Sequence, residues 1–576
     1  MTSQTNRFLL LCCSLLLVAY WSAPLWWTPG MRGVGDWDFA LHRCEALRKT
    51  IVEYHQWPGH NPWANGGIPL LGNPSAFPIS VKGILTLTVG SYWAMQLSTL
   101  AFLLIGFYGA WKLSSLWWKD LYFRCLFSFL LIANPAMIVH GSLGHPAFLN
   151  FFYMYLLFFY ILSLDKDLWS GLKAGLVFSL AFIEVPVYMP QYGALIGGGL
   201  FCWYWLSNYK HHTPYALRWL ALFIPLTLAL ISYRLVTTWE MVHAYPRISD
   251  FKAHYHWHEL LNMYFVPHIT DVITSPIKWC CNSVEMACYL GTLATIFFLI
   301  SFRRGIRWWH IATGGILAAA AGNDQYWMPM YWIQKLPTFS SQLCFARIRV
   351  FAYIFFGIGT MQGLSFALQR SKELGSLVLR WAFYFGGLLM VIEVGWVSHL
   401  TMKSSHTPYP YLFPNPNPLG QFKSIGHLSY PQTAYDALQH NLGWMDGYGE
   451  SNFPGTTLFG ADHPKYIAEF YQHGRPIKPT YWSPNHIHLE GLDPSIPLTV
   501  NMNPGKAWHN NGVPAFPNMR IVEMQQPFLV HPNQRGVVDL TYHHPGQFLG
   551  ICSTLAFGLL AIAIVSKFRR QQPPTT

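Results

Sequence analysis

Two carboxylates, Asp36 and Asp38, stand one residue apart just after the first long apolar run of the chain. An ionised side chain beside hydrocarbon is costly unless it is solvated or paired, so acids at this position need a reason. One carboxylate there could deprotonate an acceptor hydroxyl, and the two together could hold a divalent metal ion such as Mg²⁺ or Mn²⁺. The structural alternative is that Asp36 only caps the helix that continues through residues 39–41.

Three arginines could bind a phosphate, because the guanidinium group presents a fixed fork of N–H donors that matches phosphate oxygens. Arg234 closes one apolar run, whereas Arg347 and Arg349 precede another. Arg234 could instead only extend its side chain to the membrane interface. Arg347 and Arg349 are two residues apart, so on a helix they face different ways and at most one needs to point inward.

Other polar side chains near the apolar runs are candidates for lining a substrate site. They are Glu184, His145, Gln191, Trp63 and Asn65. Glu184 is the strongest candidate, because a carboxylate at the end of a membrane span needs a partner. His145 could equally be a hydrogen-bond donor within its loop. The tryptophans of the outer loops could stack on sugar faces or belong to the aromatic belt of the membrane interface.

Two further patterns allow a metal site or a disulfide. His254, His256 and His258 alternate as metal ligands do, although such alternation in an exposed loop is more typical of an interfacial aromatic surface. The ten cysteines are scattered and form neither a disulfide framework nor a zinc pattern. The cluster of Cys280, Cys281 and Cys288 could form a bridge, but free thiols are the simpler interpretation.

The composition indicates a membrane protein. Of the 576 residues, 52% are hydrophobic and only 11% are charged, against about 25% charged in soluble domains. The net charge of +12 does not indicate nucleic-acid binding, because the basic residues cluster at the ends of apolar runs, as the positive-inside rule requires.

Apolar runs that could span a bilayer occur about twelve times. They are 8–21, 92–111, 121–138, 148–164, 172–184, 193–206, 219–235, 286–302, 310–321, 351–368, 377–397 and 548–565. Lysine and arginine are concentrated in the connectors that would lie on one side of the membrane. The connectors 139–147 and 185–192, which would lie on the other side, contain neither. This asymmetry predicts a multi-pass protein of the plasma (inner) membrane, with both termini cytoplasmic and the long polar loops extracytoplasmic.

The predicted fold is an α-helical polytopic membrane protein with a small β-rich extracytoplasmic domain before the last helix. The β-rich character follows from period-two alternation at 520–524 and 536–542, punctuated by turn residues. The expected division is a transmembrane module at 1–397 with external loops 28–91, 237–285 and 322–349, the extracytoplasmic domain at 398–546, and the last helix with a cytoplasmic tail at 547–576.

The chain resembles the GT-C superfamily of multi-spanning glycosyltransferases, and most closely its YfhO-like branch. The resemblance extends end to end in architecture, and four stretches carry it. They are Gly35-Asp36-Trp37-Asp38 leading into 61–70, 336–341 with Arg347 and Arg349, 501–508, and 537–550 entering the last span.

The resemblance implies a polyprenyl-phosphate-linked sugar donor that binds from the bilayer, and transfer on the external face. It also implies a catalytic acid in the first external loop, matched here by Asp36 or Asp38, with a divalent metal between them left open. The acceptor would be a glycan, a lipid or a protein. The main alternative is a lipid-linked glycan flippase or a proton-coupled transporter that uses Glu184, although such transporters usually show two similar halves and this chain shows none. A structural component of an envelope assembly is the third interpretation.

Overall fold

The computed structural model of the chain describes residues 3–28, 31–33, 36–73, 76, 78–142, 144–167, 169–184, 188–244, 254–267, 288–336, 339, 345–404, 406–408, 422–425, 434–444, 458–503, 505, 507–515, 527–544 and 546–570. Gly35, Cys280, Cys281, the stretch 520–524 and most of the motif 336–341 lie outside these residues.

Helices dominate the described residues. They are α1 (Ser3–Trp21), α2 (Ala23–Trp26), α3 (Trp37–Arg48), α4 (Val81–Val89), α5 (Ser91–Ser114), α6 (Leu121–Ile132), α7 (Pro135–Ser142), α8 (Tyr153–Ile161), α9 (Ser170–Glu184), α10 (Tyr188–Ser207), α11 (Tyr209–Ala244), α12 (Trp257–Phe265), α13 (Thr292–Ser301), α14 (Trp308–Ala319), α15 (Pro329–Ile333), α16 (Ala352–Glu373), α17 (Leu377–Ser404), α18 (Ala434–Gln439) and α19 (Gln547–Arg570). Short 3₁₀ turns occupy Pro146–Phe152, Phe302–Arg304 and Phe345–Phe351, and a π turn (Lys49–Glu53) extends α3.

Within the described residues, five helical stretches are long and apolar enough to cross a membrane. They are Ser91–Ser114, Tyr209–Met241, Phe345–Glu373, Leu377–Ser404 and Gln547–Phe568. The pair α6 and α7 would be a sixth span, bent by 41°; Pro135 opens α7, where its missing N–H removes no helical hydrogen bond. The chain is thus an integral membrane protein, and the count of twelve spans stays a prediction.

The strands lie mainly near the end of the chain. They are β1 (Met31–Gly33), β2 (His60–Asn61), β3 (Ile68–Pro69), β4 (His406–Pro408), β5 (Lys423–Ile425), β6 (Leu442–Trp444), β7 (Phe470–Gln472), β8 (Arg475–Pro476), β9 (Tyr481–Ser483), β10 (His486–Leu489), β11 (Leu498–Val500), β12 (Trp508–Asn510), β13 (Val513–Pro514), β14 (Phe528–Val530) and β15 (Val538–Tyr542). A five-stranded sheet has the order β13-β12-β15-β10-β9, and a four-stranded sheet has the order β14-β11-β7-β8. The described residues of 398–546 contain strands β4 to β15.

The strand-rich segment 398–546, which we call the outer domain after its expected position, has a core that includes residues from the segment 28–91. Trp63 and Leu70 are buried in one apolar cluster with Trp482, Ile487 and other inward-facing strand residues. Strand β1 also pairs antiparallel with β4. The segment 28–91 and the segment before the last helix therefore fold together, although they are separated by more than 300 residues.

Candidate functional site

Asp36 lies at the start of α3 and faces a histidine from a distant loop. It occupies the N-cap position, but its side chain makes no capping hydrogen bond. Its Oδ2 lies 3.0 Å from Nε2 of His145, and the two side chains are 31% and 21% exposed. A carboxylate in this position is held by a partner and is still accessible to a substrate.

His145 is held by contacts on both sides. Its ring stacks on Phe148, with centroids 4.9 Å apart and an interplanar angle of 18°. Its Nδ1 lies 3.2 Å from Nδ1 of His140, which is fully buried in α7. Because an ionised Asp36 only accepts, Nε2 of a neutral His145 carries the proton and its Nδ1 accepts from the Nδ1–H of His140. This chain of hydrogen bonds orients the imidazole toward Asp36.

Gly144 makes this approach sterically feasible. Its φ is +98°, and a Cβ there would lie 2.0 Å from the backbone nitrogen of Asp36. Any other residue would force the His145 loop away from α3, and the φ itself favours glycine.

Arg347 joins the same group through aromatic rings. Its guanidinium carbon lies 4.8 Å from the ring centroid of Phe148 and 4.7 Å from that of Tyr188, within the range of cation–π attraction. Phe148 therefore contacts both His145 and Arg347. The Arg347 cation and the Asp36–His145 pair are thus brought together around one ring.

Arg349 points elsewhere. It is fully buried, donates from Nη1 to the carbonyl of Ala346 at 3.3 Å and contacts the Cys288 thiol. Both arginines lie in the 3₁₀ turn Phe345–Phe351, where residues two apart project in different directions. The structure thus places Arg347, and not Arg349, beside the Asp36–His145 pair.

Asp38 has a different environment from Asp36. Its side chain is buried, and its Oδ2 accepts from the backbone N–H of Ala434 at 2.7 Å and of Tyr435 at 3.3 Å. These are the first residues of α18, so Asp38 caps that helix and connects α3 to the outer domain. Asp36 and Asp38 therefore contact different parts of the molecule: Asp36 faces His145, and Asp38 holds α18.

Glu184 and Arg234 form a second charged group. Glu184 is fully buried and accepts from the backbone N–H of Val81 at 2.7 Å and of Lys82 at 3.4 Å. The side chains of Lys82 and Arg234 interact electrostatically with it. Arg234 donates to the carbonyls of Asn73 and Ala76, which fixes the end of the first loop.

Of the remaining candidate lining residues, Gln191 lies on α10, and Trp63 and Asn65 lie in the first loop. Gln191 is half-buried in α10. Trp63 donates from Nε1 to Oδ1 of Asn441 at 2.8 Å in the outer-domain core. Asn65 is also fully buried, and its backbone carbonyl accepts from Asn503. Burial lowers the pKa of the nearby His60 to about 4, so this part of the loop carries no histidine charge at neutral pH.

Phe148 and Tyr188 are the site residues that sequence analysis did not select. The available signal is spacing, because Phe148 follows His145 by three residues and a 3₁₀ turn places such residues on one face. No comparable local signal exists for Tyr188, which reaches Arg347 from a separate helix.

Metal-ligating side chains gather in two places within the described residues. One group is His486, His488 and Asp539, and the other is Asp165, His211 and His212. Neither group contains Asp36, Asp38 or the described histidines of 254–258.

No family profile matches the chain, and no curated protein matches it. Among solved structures, the arabinofuranosyltransferase AftD from Mycobacteria matches 68% of this chain and 27% of its own, with 11% identity and a TM-score of 0.41. The Archaeoglobus fulgidus oligosaccharyltransferase, in a complex with Zn and sulfate, matches 76% of this chain and 62% of its own, with 10% identity and a TM-score of 0.43. The chain thus spans between about a quarter and two thirds of these proteins. Similarity at this level assigns no function.

Proposed function

We propose that this protein is a glycosyltransferase that moves a sugar from a polyprenyl-phosphate-linked donor to a hydroxyl acceptor at the extracytoplasmic face of the membrane. The observation that carries the proposal is the group around Asp36. A partly exposed carboxylate is hydrogen-bonded to His145 at 3.0 Å, and the Arg347 cation packs on the same Phe148 ring as His145.

The proposed reaction uses this group as follows. The acceptor hydroxyl attacks the anomeric carbon of the donor, and its proton passes to Asp36 as general base. A new C–O bond forms while the bond between the anomeric carbon and the phosphate oxygen breaks, and polyprenyl phosphate leaves with the electron pair. Arg347 offsets the negative charge that grows on the departing phosphate.

The structural contacts favour Asp36 over Asp38 as the base. Asp38 is 1% exposed and already accepts two backbone N–H groups of α18, whereas Asp36 is 31% exposed and faces a titratable ring. His145 would keep the Asp36 carboxylate oriented for proton transfer.

The membrane supplies the donor in this proposal. The prenyl chain lies among the apolar helices, and its phosphate sits at the interface where α3 begins. The basic connectors predict that both termini are cytoplasmic, which places Asp36 and the outer domain outside. A proton-coupled transporter finds less support, because the proposed coupling residue Glu184 caps the first turn of α4.

The direct test combines cells and purified protein. Cells that lack the gene should accumulate the unused prenyl-phosphate-linked sugar donor. A lipid-linked or surface glycan of these cells should lack one sugar. The purified full chain, supplied with synthetic prenyl-phosphate sugars, should release prenyl phosphate only when an acceptor is present. Movement of a fluorescent lipid-linked glycan between leaflets, without any transfer, would replace this proposal with the flippase alternative.

A further inference from the structure

The outer face of the five-stranded sheet carries a compact group of histidines and carboxylates. His486 and His488 are two residues apart on β10, so their side chains share one face of the strand. Asp539 lies on the neighbouring strand β15, directly opposite His488 in the antiparallel register. Its Oδ1 is 2.8 Å from Nε2 of His486 and 2.8 Å from Nδ1 of His488.

A fourth side chain completes the group. Glu490 Oε1 lies 3.1 Å from Nε2 of His488, so both nitrogens of that ring face a carboxylate oxygen. A neutral imidazole has only one N–H, and the other nitrogen would present its lone pair to an oxygen. A cation placed between Nδ1 of His488 and the carboxylate of Asp539 would remove this conflict.

We propose that this group binds a Zn²⁺ ion, with Nε2 of His486, Nδ1 of His488 and the carboxylate of Asp539 as ligands. The three ligand atoms lie within 4.8 Å of one another, and two imidazoles with one carboxylate suit zinc better than the oxygen-seeking Mg²⁺ or Ca²⁺. With the ion bound at Nδ1, His488 keeps its proton on Nε2. Its Nε2–H then donates to Glu490, an outer carboxylate of the kind that commonly orients a metal-bound histidine.

The site lies on different residues from the group proposed for the transfer reaction. Its ligands are 28–37% exposed, so the ion can enter from solvent. The alternate residues Ile487, Leu489 and Leu540 face the opposite side and form the outer-domain core. An ion on the outer face would hold β10 against β15, and β15 leads directly into the last membrane helix.

The test is a zinc titration of the purified full chain after removal of metal by a chelator. Zinc chloride should raise the thermal unfolding temperature of the wild type, because an ion that binds only the folded state stabilises it. His486→Ala and Asp539→Asn should lose this rise. Glu490→Gln should weaken zinc affinity roughly 10- to 100-fold, as outer partners of metal ligands typically do.

The matched control is His509→Ala. His509 lies on β12, the other neighbour of β15, and its ring packs on His543, so its removal should leave the zinc effect intact. The metal-free unfolding temperatures of the variants show whether each still folds. His211→Ala is measured in parallel, since His211 belongs to the other metal-ligating group. Loss of the zinc effect in His211→Ala, or its retention in both His486→Ala and Asp539→Asn, would overturn the proposal.

Discussion

Two groups of charged side chains near the apolar helices differ in what they contact. The Asp36 group is partly exposed, and its contacts join side chains to side chains: carboxylate to imidazole, imidazole to ring, and ring to guanidinium. The Glu184 group is buried, and its carboxylate and the Arg234 guanidinium bind backbone amides and carbonyls.

Under the proposed function, the Asp36 group takes part in the reaction and the Glu184 group holds the fold together. A charge whose hydrogen bonds go to backbone groups of its own fold has fewer hydrogen-bonding positions left for a ligand. The Asp36 carboxylate is hydrogen-bonded to a side chain and is 31% exposed, so a ligand can reach it. Asp36 and Glu184 both lie at the end of an apolar run, so sequence position does not distinguish them. The kind of hydrogen-bond partner, a side chain or the backbone, does.

The largest expected effect on transfer is that of Asp36→Asn. An amide keeps the shape of the side chain but does not accept a proton at neutral pH, so transfer should fall roughly 10²-fold or more. The measurement is release of prenyl phosphate by purified variant and wild type at equal folded concentration.

The matched control for this substitution is Asp120→Asn. Asp120 is an aspartate that does cap its helix, accepting from the N–H of Tyr122 at 2.8 Å. Asparagine caps about as well as aspartate, so this variant should transfer normally. Normal transfer by Asp36→Asn would end the general-base role and leave transport as the better account.

The sequence predicted the parts of this comparison that depend on local pattern. Long apolar runs such as 377–397 correspond to helices because about 20 apolar residues are a direct signal of a span. The chemistry and position of Asp36 make it a candidate from sequence alone. The partners were not predictable, because His145 lies 109 residues from Asp36 and Ala434 lies 396 residues from Asp38. Contacts of this kind depend on the packing of distant segments and leave no local periodicity.

A moderate effect is expected for Arg347→Lys. Lysine keeps the charge but loses the planar fork, so donor use should weaken roughly 10-fold, about the worth of one charge-assisted hydrogen bond. The measurement is the KM for the prenyl-phosphate sugar. Arg303→Lys, at an exposed position, is the control and should not change it.

The same substitution at the other two arginines tests whether the effect on the donor KM is specific to Arg347. Arg234→Lys and Arg349→Lys should lower thermal stability and leave the donor KM nearly unchanged, because both guanidinium groups bind backbone carbonyls. Full activity in all three lysine variants would move the phosphate site elsewhere.

Glu184→Gln should affect folding and not the rate per folded molecule. The substitution removes the opposite charge that acts on the buried Lys82 and Arg234 side chains, so the unfolding temperature should fall. The measurement is thermal unfolding in detergent, with the exposed Glu373→Gln as a control that should show no detectable shift. Loss of transfer at unchanged stability would instead place Glu184 in the reaction.

The smallest expected effect is that of Asp38→Asn. The amide oxygen can still accept from the N–H groups of Ala434 and Tyr435, so both stability and transfer should stay near wild type. Asp38→Ala removes the cap and should destabilise α18 by about 1 kcal/mol, seen as faster proteolysis around residues 434–439.

A metal ion bridging Asp36 and Asp38 predicts a different pattern, in which both asparagine variants lose transfer together and added Mg²⁺ or Mn²⁺ restores a chelated wild type. A normal Asp38→Asn beside an inactive Asp36→Asn would therefore exclude the bridged ion and leave Asp36 as the base, because the two acids differ in partner and not in charge.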